Sequence, residues 1–421
     1  MKTLWLSAIL FGLGTPLFAQ DKSAASNVPS DKKEESVLLD NDDFKIYWKN
    51  GTHIESSDGT FKLKFGGRIH NDWAFISADD DMKAATFPGE NGTEFRRSRL
   101  FFGGTLWDRV IFKMQYDFAG GDADFKDVYV GIKGLPVVGT LTVGQQFELF
   151  GFTAPISNYN TFIEGALDSS ISPQRSTGFR FHNQAFENSL QWSLGYFWGG
   201  SDSYGDDKDN DGVNVITGRI TGLPIYQEGD MLLHVGMSFS NRHLRGDATE
   251  FKSKPMANLA EEYVLTSTSP DDLLLVGFEL GFAWQSLHAQ LEYVHYDVSA
   301  IDGASDATFS GWYLQFGYFL TGETRPYSGK NGMWSRVTPL KNAFGEEGGY
   351  GAWEAKARIQ MIDGNDDDVT GNELMNFALG VNWYLNSATR VMLEYVFSDL
   401  ESDAGDIGNS SVVQMRFQID F

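Results

Sequence analysis

Sixteen stretches of this 421-residue chain alternate bulky apolar side chains with polar or small ones, and each ends near Gly, Asn, Asp or Pro. A period of two predicts β-strands, because successive side chains of a strand point to opposite faces of the sheet. Long alternating runs in an even number are typical of an antiparallel barrel that spans a membrane. We therefore predict an all-β fold, a transmembrane antiparallel β-barrel of about 16 strands with up-and-down topology. The predicted strands are 61–75, 95–107, 110–118, 125–133, 141–150, 177–183, 189–198, 213–222, 231–241, 273–284, 287–297, 309–320, 351–361, 374–385, 389–398 and 411–421.

The connections between the predicted strands alternate in length. WDR at 107–109 and QS at 285–286 are tight turns, whereas 76–94 and 242–272 are long loops. Short turns at one rim and long loops at the other are the pattern of an outer-membrane barrel. The segment 321–350 breaks this pattern, because it is long where a short turn is due. A soluble β-sandwich or propeller remains an alternative, since half-buried strands of soluble sheets also alternate.

The two ends of the sequence carry further signals. The last residues, QMRFQIDF, place Phe417, Ile419 and Phe421 on one face of the final predicted strand. Such a strand resembles the signal by which the barrel-assembly machinery recognises outer-membrane barrels. The first residues, MKTLWLSAILFGLGTPLFAQ, combine a basic start, a short apolar core and a Leu-x-Ala site, which predicts a signal peptide at 1–19. A membrane anchor is the alternative, but the apolar core is too short for one.

Residues 20–43 are polar and without periodicity, and we predict a flexible leader there. Residues 44–421 form the predicted outer-membrane barrel domain, in which FKIYWKN at 44–50 resembles a short strand outside the sixteen. The chain has no cysteine, which excludes thiolate metal sites and cysteine nucleophiles. Its net charge of −24 disfavours nucleic acid as a partner, because phosphate neutralisation needs a basic surface.

The stretch FKLKFGGRIHNDWAF at 61–75 indicates which face of the sheet meets water. Its large apolar side chains share one parity, and Lys62, Lys64 and Arg68 share the other. A lysine or arginine that faces lipid at mid-bilayer costs about 2–4 kcal/mol. Turning this strand inside out would therefore cost as much free energy as stabilises a whole domain. The basic parity must face the lumen, and a one-residue register slip would reverse it.

The same parity places thirteen basic and nine acidic side chains in the lumen, an excess of positive charge in an acidic chain. The acidic excess lies in the leader and in loops such as GDDKDND at 205–211, and physiological salt screens charges beyond about 8 Å. We therefore predict a lumen that attracts small anions. The candidate pore and anion-binding residues are Arg68, Arg96, Arg97, Arg99, Lys62, Lys64, Lys113, Arg180 and Arg219. All of these except Arg96 belong to the thirteen, and the other five are Lys133, Lys356, Arg358, Arg390 and Arg416.

The densest basic motif is FRRSR at 95–99. Arg97 and Arg99 share the lumen parity, and Arg96 joins them only if a β-bulge re-aims it. One interpretation is a guanidinium cluster, with Arg68, that binds oxyanions and draws anions through the pore. The other is a ladder of structural ion pairs that stiffens the barrel wall. The acidic candidates for such pairs are Asp72, Asp117 and Asp127.

Other motifs point less strongly to a site. D-x-D-x-D-G at 207–212 resembles a calcium loop, but Gly218 stands where the bidentate acid is due. We interpret it as a solvated acidic loop that divalent ions bridge to lipopolysaccharide. We predict no catalytic, cofactor or metal site, although a Ser-His pair in the loop 151–176 would make an outer-membrane hydrolase. Four histidines share the lumen parity without metal-ligand spacing, and we predict pore-lining roles for His70, His182, His234 and His288.

Several motifs together resemble the phosphate-selective porin O and P family. They are KLKFGGRI (62–69), FRRSRLFFGGT (95–105), MQYDF (114–118), GWYLQFGYFLTGETRPY (311–327), GAWEAKAR (351–358) and LGVNWYLN (379–386). The resemblance runs from about residue 44 to the C-terminus. It implies a sixteen-stranded outer-membrane porin that forms a homotrimer. It also implies a third loop folded into each pore and a lumen ladder of arginines and lysines that passes anions.

Arg68 and the Arg96-Arg97 pair match family arginines at or near the constriction. The chain departs from the family where phosphate-specific members carry G-R-F and then L-E-K, since it reads GQQFELFGFTAP at 144–155. Gln145 stands for the family arginine, and Ala154 stands for the lysine of the phosphate site. The resemblance with these departures implies a weak anion preference or broad solute passage rather than high phosphate selectivity.

We therefore expect a porin of the Gram-negative outer membrane for passive diffusion of small hydrophilic solutes, with a preference for anions. Its expected partners are small anionic solutes, outer-membrane lipid, lipopolysaccharide, the barrel-assembly machinery and further copies of the chain in a homotrimer. Nucleic acid and cofactors are not expected. Besides the hydrolase, one alternative remains: a non-conducting barrel for adhesion or envelope anchoring, whose loops would carry the function.

Overall fold

The computed structural model describes residues 36–153, 158–167, 172–199, 203–206, 213–227, 229–301, 303–345, 348–366 and 369–421. The predicted signal peptide and most of the predicted leader lie outside these ranges. Ala154 and the acidic stretch at 207–212 also lie outside the described residues.

Three short strands precede the barrel: β1 (Ser36–Asp40), β2 (Phe44–Trp48) and β3 (Thr52–Ser56). β2 confirms the strand predicted near 44–50. β1 lies within the predicted leader, and its backbone pairs with β2. β3 pairs with the start of the following strand, which begins at Phe61 and is the first strand of the closed barrel.

Sixteen of the remaining strands form one closed antiparallel barrel, as the alternation predicted. The hairpins β13–β14 and β18–β19 and the helix α1 lie in connections. α1 is the one helix among the described residues, and no helix in that part of the chain is long and apolar enough to cross a membrane. The elements are β4 (Phe61–Ala78), α1 (Asp80–Ala84), β5 (Gly92–Leu106), β6 (Val110–Asp117), β7 (Asp124–Leu135), β8 (Gly139–Phe147), β9 (Arg175–Ala185), β10 (Leu190–Trp198), β11 (Asn214–Gln227), β12 (Met231–His243), β13 (Thr249–Ser253), β14 (Val264–Thr268), β15 (Pro270–Trp284), β16 (Leu287–Ala300), β17 (Ala307–Phe319), β18 (Tyr327–Ser328), β19 (Met333–Trp334), β20 (Ala352–Asp363), β21 (Glu373–Tyr384), β22 (Thr389–Ser402) and β23 (Gly405–Asp420).

The two faces of the barrel strands differ as the charge argument requires. On β4, Phe65, Ile69 and Phe75 are 41–48% exposed on the outside, whereas His70 is fully buried within the barrel. Aromatic side chains suit the interface between lipid and water. The predicted lumen parity is therefore confirmed. Exposed aromatic rings gather near the short-turn rim, at Trp107, Phe186, Tyr226, Trp284, Tyr318, Phe344 and Tyr350.

The barrel closes where Gly66 and Gly67 of β4 meet the terminal Phe421. The Gly67 N–H donates to the Phe421 carbonyl over 2.6 Å, and the Phe421 N–H donates to the Gly67 carbonyl over 2.9 Å. A Cβ on Gly66 would lie 2.2 Å from the Phe421 carbonyl oxygen and 2.8 Å from the Phe101 ring. Glycine at this position therefore lets the last residue reach the first barrel strand.

One long-side connection, which we call the inward loop (residues 148–174), folds back into the lumen against β20–β23 over its described residues 158–167. Phe162 of this loop is fully buried, beneath the cationic groups of Lys356 and Arg358. Four predicted lumen cations are used here, because they donate to loop carbonyls and so fix the backbone. The contacts are Lys356 Nζ to Thr161 (2.9 Å), Arg390 Nη1 to Asn160 (2.8 Å), Arg358 Nη1 to Glu164 (3.1 Å) and Arg416 Nη1 to Ile163.

The side chain of Glu164 is the charged anchor of the inward loop. It accepts from Arg96 Nε and Nη2, both over 3.2 Å, and from Arg416 Nη2 over 2.7 Å. Burial by itself would raise the pKa of this carboxyl, but the two guanidinium groups hold its pKa well below the usual range. Glu164 therefore stays ionised at neutral pH and ties the loop to both β5 and β23.

Two further connections occupy the lumen. The hairpin β13–β14 enters from the long-loop rim, where Phe251 stacks on Phe309 with ring centroids 4.8 Å apart. A second connection, which we call the rim segment (residues 320–351), enters from the short-turn rim and confirms the long connection predicted there. Its Trp334 is buried and donates Nε1 to Gln290 over 2.6 Å. The lumen is thus a packed interior that leaves limited free space.

We predict that Gly66→Ala weakens closure of the barrel. The new Cβ would meet the backbone oxygen of Phe421, and overpacking of this kind costs about 1–3 kcal/mol. The folded band in heat-modifiability electrophoresis should therefore disappear at a lower temperature than in wild type. Gly222→Ala is the matched control, because a Cβ there has no neighbour nearer than 3.8 Å. Equal melting of both variants would contradict the role of Gly66 in closure.

We predict that the inward loop stays docked when the pH falls from 7 to 6. Because the pKa of Glu164 is lowered in the docked loop, its stabilising contribution is fully present above the usual glutamate range and is lost progressively as the pH falls from that range to the lowered pKa. Hydrogen exchange of residues 158–167, corrected for the intrinsic rate, should be equally slow at both pH values.

Glu164→Gln should speed this exchange by at least about tenfold, because breaking a buried ion pair costs several kcal/mol. Glu90→Gln, at an exposed position in another long-side loop, is the control and should leave the exchange unchanged. Faster exchange of the wild-type loop at pH 6 than at pH 7 would refute the assignment of Glu164 as the anchor.

Candidate functional site

A β-bulge in β5 turns two consecutive arginines into the lumen. Across β4 and β5, His70 lies opposite Arg97 and Asn71 lies opposite Phe95, so the register shifts at Arg96. Phe95 is 60% exposed on the outer face, while Arg96 reaches Glu164 of the inward loop. The bulge that the sequence analysis set as a condition is present, and it brings Arg96 to the same side as Arg97.

Most of the candidate cations form ion pairs along the lumen wall. A buried pair offsets much of its own charge, so these cations add less to the pore potential than their number suggests. The ion pairs that the ladder interpretation requires are therefore present at these residues. The pairs are Arg99–Asp117 (2.6 Å), Lys113–Asp127 (2.5 Å), Arg175–Asp127 (2.7 Å), Arg219–Glu279 (2.8 Å), Arg416–Asp72 (2.5 Å) and Arg68–Asp420 (3.8 Å).

Arg97 stands outside this ladder. Its hydrogen-bond contact is with His70 Nδ1, 3.5 Å from Nη1, and its Nε has no hydrogen-bond partner in the described part of the chain. The nearby carboxylate of Glu164 is already held by Arg96 and Arg416. Among the described residues, therefore, this buried guanidinium has no carboxylate of its own. Such a group is suited to attract an anion that passes through the lumen.

Lys62 and Lys64 of β4 lie nearer to the short-turn rim than Arg97 does. The Lys64 ammonium is 5.7 Å from the centre of the Phe101 ring and makes no ion pair within the described ranges. Lys62 is half exposed, and its ammonium is 4.0 Å from Glu55 of β3. Lys64 thus extends the basic wall inward, whereas Lys62 belongs to the rim.

Arg180 and Arg219 lie in a different place, where they line an inner chamber on the short-turn side of the inward loop. Arg180 Nη1 donates to the Phe147 carbonyl over 2.7 Å, and Arg219 makes a bidentate contact with Glu279. The nine candidates therefore do not form one site. Six gather on β4–β6, two line the inner chamber, and Lys62 remains at the rim.

An outer chamber of about 260 Å³ lies on the other side of the inward loop and is lined by Arg175 and Arg242. Arg175 also stacks on Phe147, with its guanidinium carbon 3.7 Å from the ring centre. Because Arg175 lines the outer chamber and Asp127 lines the inner one, their ion pair lies at the boundary between the two. This boundary is the candidate constriction.

Five basic residues of the lumen lie outside the bounds of the predicted strands and were therefore not predicted to line the pore. For the three residues of the rim segment the sequence does hold a signal. Segment 321–350 is long where a short turn is due, which indicates that it and its cations occupy space inside the barrel. The missed residues are Arg175, Arg242, Arg325, Lys330 and Arg336.

Three of the histidines predicted to line the pore are buried instead. His70, His234 and His288 are fully buried, because the inward loop and the rim segment cover this part of the wall. His288 Nε2 lies 2.6 Å from Glu354, and His234 stacks on Phe152 with ring centroids 4.4 Å apart. These rings therefore contribute to packing beneath the pore surface.

At the long-loop rim, His243, Asp271 and Asp272 each offer one atom that could bind a metal ion. These three atoms lie within 4.8 Å of one another. His243 Nδ1 already lies 2.9 Å from an Asp272 oxygen, and the group is open to solvent. The ion pair accounts for this arrangement, and we assign no metal to it.

Comparison with known proteins agrees with this architecture. A family described as phosphate-selective porin O and P matches residues 63–421. Porin O of Pseudomonas aeruginosa is 25% identical over 430 aligned residues, which cover 91% of this chain and 94% of that protein.

Solved structures of other outer-membrane proteins share the fold. OprB of Pseudomonas putida aligns with a TM-score of 0.53 at 8% identity, covering 85% of this chain and 94% of that one. The outer-membrane channel DcaP of Acinetobacter baumannii aligns with a TM-score of 0.52 at 13% identity, covering 87% and 99%. The family match spans most of the chain and the barrel is that of porins; the chain belongs to the phosphate-selective porin O and P family and is an outer-membrane channel.

Proposed function

We propose that this channel is a porin of the Gram-negative outer membrane that passes small hydrophilic solutes by passive diffusion and prefers anions. In this proposal it performs no catalysis. The observation that supports the anion preference is the Arg97 guanidinium, which lies in the lumen with no carboxylate of its own among the described residues. A charge that its surroundings leave unneutralised is available to a passing anion.

Neighbouring cations strengthen this effect. Lys64 adds an ammonium without an ion pair within the described ranges. Arg68 and Arg99, which lie opposite each other on β4 and β5, add only the part of their charge that Asp420 and Asp117 do not offset. Like charges along a narrow, low-dielectric wall focus the field into the pore and raise the local concentration of the opposite ion. Salt screens charges beyond about 8 Å, so the acidic outer loops oppose this field only weakly.

The same geometry supports a weak preference rather than high phosphate selectivity. Gln145 stands in place of the family arginine. It lies on the same face of β8 as Val143, and its amide oxygen accepts a hydrogen bond from the Thr177 hydroxyl over 3.1 Å. Its side chain is therefore directed away from the pore. Most guanidinium groups of β4–β6 are already engaged with carboxylates. Conduction itself favours weak, repeated sites, because a single tight site would retain its ion.

We further propose that the porin assembles as a homotrimer, with outer-membrane lipid and lipopolysaccharide as its surroundings and the barrel-assembly machinery as its insertion partner. The trimer rests on the family resemblance. The exposed apolar outer face of the strands supports contact with lipid. Phe421 at the closing seam supports recognition of the last strand during assembly.

The filled lumen would also suit a non-conducting barrel for adhesion or anchoring. Against this candidate, chambers of about 260 and 270 Å³ lie on the two sides of the inward loop, which supports a passage between them. The hydrolase alternative gains no support, since no serine hydroxyl donates to a histidine within the residues that the structure describes.

We predict that wild-type channels in a planar bilayer with a potassium chloride gradient show a reversal potential of anion-selective sign. Arg97→Gln should lower the anion-to-cation permeability ratio about twofold, because one unit charge acting across about 8 Å of water changes the energy of an ion by about 0.5 kcal/mol. Lys62→Gln removes the same charge at the rim and is the matched control, expected to change the ratio little.

Cation selectivity of the wild type would refute the proposed anion preference, and absence of conductance would favour the adhesion barrel. An unchanged ratio in Arg97→Gln would indicate that this guanidinium is structural. Closure in three equal steps in the same recordings is the expected sign of the trimer.

We predict only weak block of the chloride current by inorganic phosphate. Half-block should need millimolar phosphate or more, because a site of millimolar affinity corresponds to only about 4 kcal/mol of binding free energy. The measurement is single-channel chloride current during titration with phosphate at constant ionic strength. Half-block at micromolar phosphate would contradict the inference from Gln145 and would restore the family's specialised activity to this chain.

A further inference from the structure

The inner chamber has a volume of about 270 Å³ and lies between the inward loop and the rim segment. The inward loop contributes Leu149 and Tyr159 to its lining, and the rim segment contributes Lys330 and Met333. The remaining walls come from β7 to β11. Because the short-turn rim of an outer-membrane barrel faces the periplasm, the chamber is the last compartment that an entering solute meets.

The tip of the rim segment is held firmly at the chamber. Arg219 Nη2 donates to the Gly332 carbonyl over 2.8 Å, and the Gln191 amide donates to the Gly329 carbonyl. The tight turn between β18 and β19 is thereby fixed against β10 and β11. Lys330, at the centre of that turn, is exposed to the chamber and is kept there by its anchored neighbours.

Two cations of the chamber are not neutralised. Arg180 donates to the Phe147 carbonyl, but its Nε has no hydrogen-bond partner, and neither Arg180 nor Lys330 makes an ion pair within the described part of the chain. Arg219 and the carboxylate of Asp127, which also line the chamber, are both engaged in the ion pairs described above. Arg180 and Lys330 together can therefore receive a doubly charged anionic group.

The rest of the lining suits a ring that carries hydroxyl groups. Ser193 offers a hydroxyl, and His182 Nδ1 is buried without a hydrogen-bond partner among the described residues. The rings of Tyr129 and Tyr159 add flat apolar surface. Sites for small organic molecules combine aromatic walls with a few placed polar groups in this way.

The size of the chamber argues against a bare ion as its best ligand. A single water molecule needs only about 10–15 Å³ of such volume, and sites for small organic ligands begin near about 300 Å³. An inorganic anion at Arg180 and Lys330 would leave His182 Nδ1 and the Ser193 hydroxyl without a partner. A ligand with both a dianionic group and a hydroxylated body would satisfy the cations and the lining together.

We propose that the inner chamber is a binding site for phosphorylated monosaccharides, with the phosphate group at Arg180 and Lys330 and the sugar ring against Ser193, His182 and the tyrosines. The proposal rests on the proposed function, because the solute must first enter an anion-preferring pore. It names the solute class for which this pore is adapted. Among the described lining residues only two cations, Arg180 and Lys330, are free of ion pairs. Binding is therefore weak enough for release into the periplasm.

The experiment is a single-channel titration with glucose 6-phosphate, added on the side of the short turns, with inorganic phosphate and glucose as comparison solutes. Glucose 6-phosphate should reach half-block of the chloride current at a concentration about tenfold lower than inorganic phosphate. Glucose should not block at the same concentrations. Charge and sugar are thereby tested separately.

Lys330→Gln should raise the half-block concentration of glucose 6-phosphate about tenfold, because one charge-assisted contact is lost. Lys330 makes no hydrogen bond or ion pair in the described ranges, so its loss should not prevent folding. The matched control is Lys341→Gln, which removes the same charge from an exposed position of the same rim segment outside the chamber.

Equal block by glucose 6-phosphate and inorganic phosphate would overturn the proposal, as would an unchanged half-block concentration in Lys330→Gln. Those outcomes leave the anion preference intact if the reversal potential keeps its sign. Cation selectivity in the same recordings would instead refute the proposed function itself. The two failures are therefore distinguishable.

Discussion

Inside a bilayer the backbone finds no hydrogen-bond partner except itself, and the rest of this structure depends on that constraint. A sheet can satisfy it only by closing into a barrel. The seam is completed by Gly67 and Phe421, which exchange two backbone hydrogen bonds, and by Arg416, which meets Asp72 across it. Once the outer face lies in lipid, the charged side chains of the strands must point inward.

The crowded lumen that results decides how each charge is used. Cations of β20–β23 donate to carbonyls of the inward loop, so they fix a polypeptide segment that would otherwise be free in the pore. Cations of β4–β6 face acidic neighbours, except that Lys64 and Arg97 make no ion pair among the described residues. The same residue types thus hold the loop on one wall and set the pore potential on the other, because different groups lie opposite them.

The sequence predicted all sixteen barrel strands and their lumen face, because alternation is local and the cost of a cation in lipid is large. The sequence did not establish the bulge at Arg96. In a regular strand two consecutive arginines point to opposite faces, so Arg96 could join Arg97 in the lumen only if a bulge was present. Nor did the sequence separate Arg97 from Arg99, although Arg99 is paired with Asp117 and Arg97 is not. The sequence also predicted that Lys356 and Arg390 line the pore. Their partners in the inward loop are 195 and 230 residues away in the chain, so no local pattern shows these contacts.

What the sequence determined by itself is therefore the barrel, its strand number and the orientation of every strand. These follow from the period of the side chains and from their transfer energies, which need no tertiary information. Only the tertiary structure decided which cations are neutralised, how the inward loop and the rim segment divide the lumen, and where the chambers lie. Those features depend on contacts between distant segments, which no local pattern records.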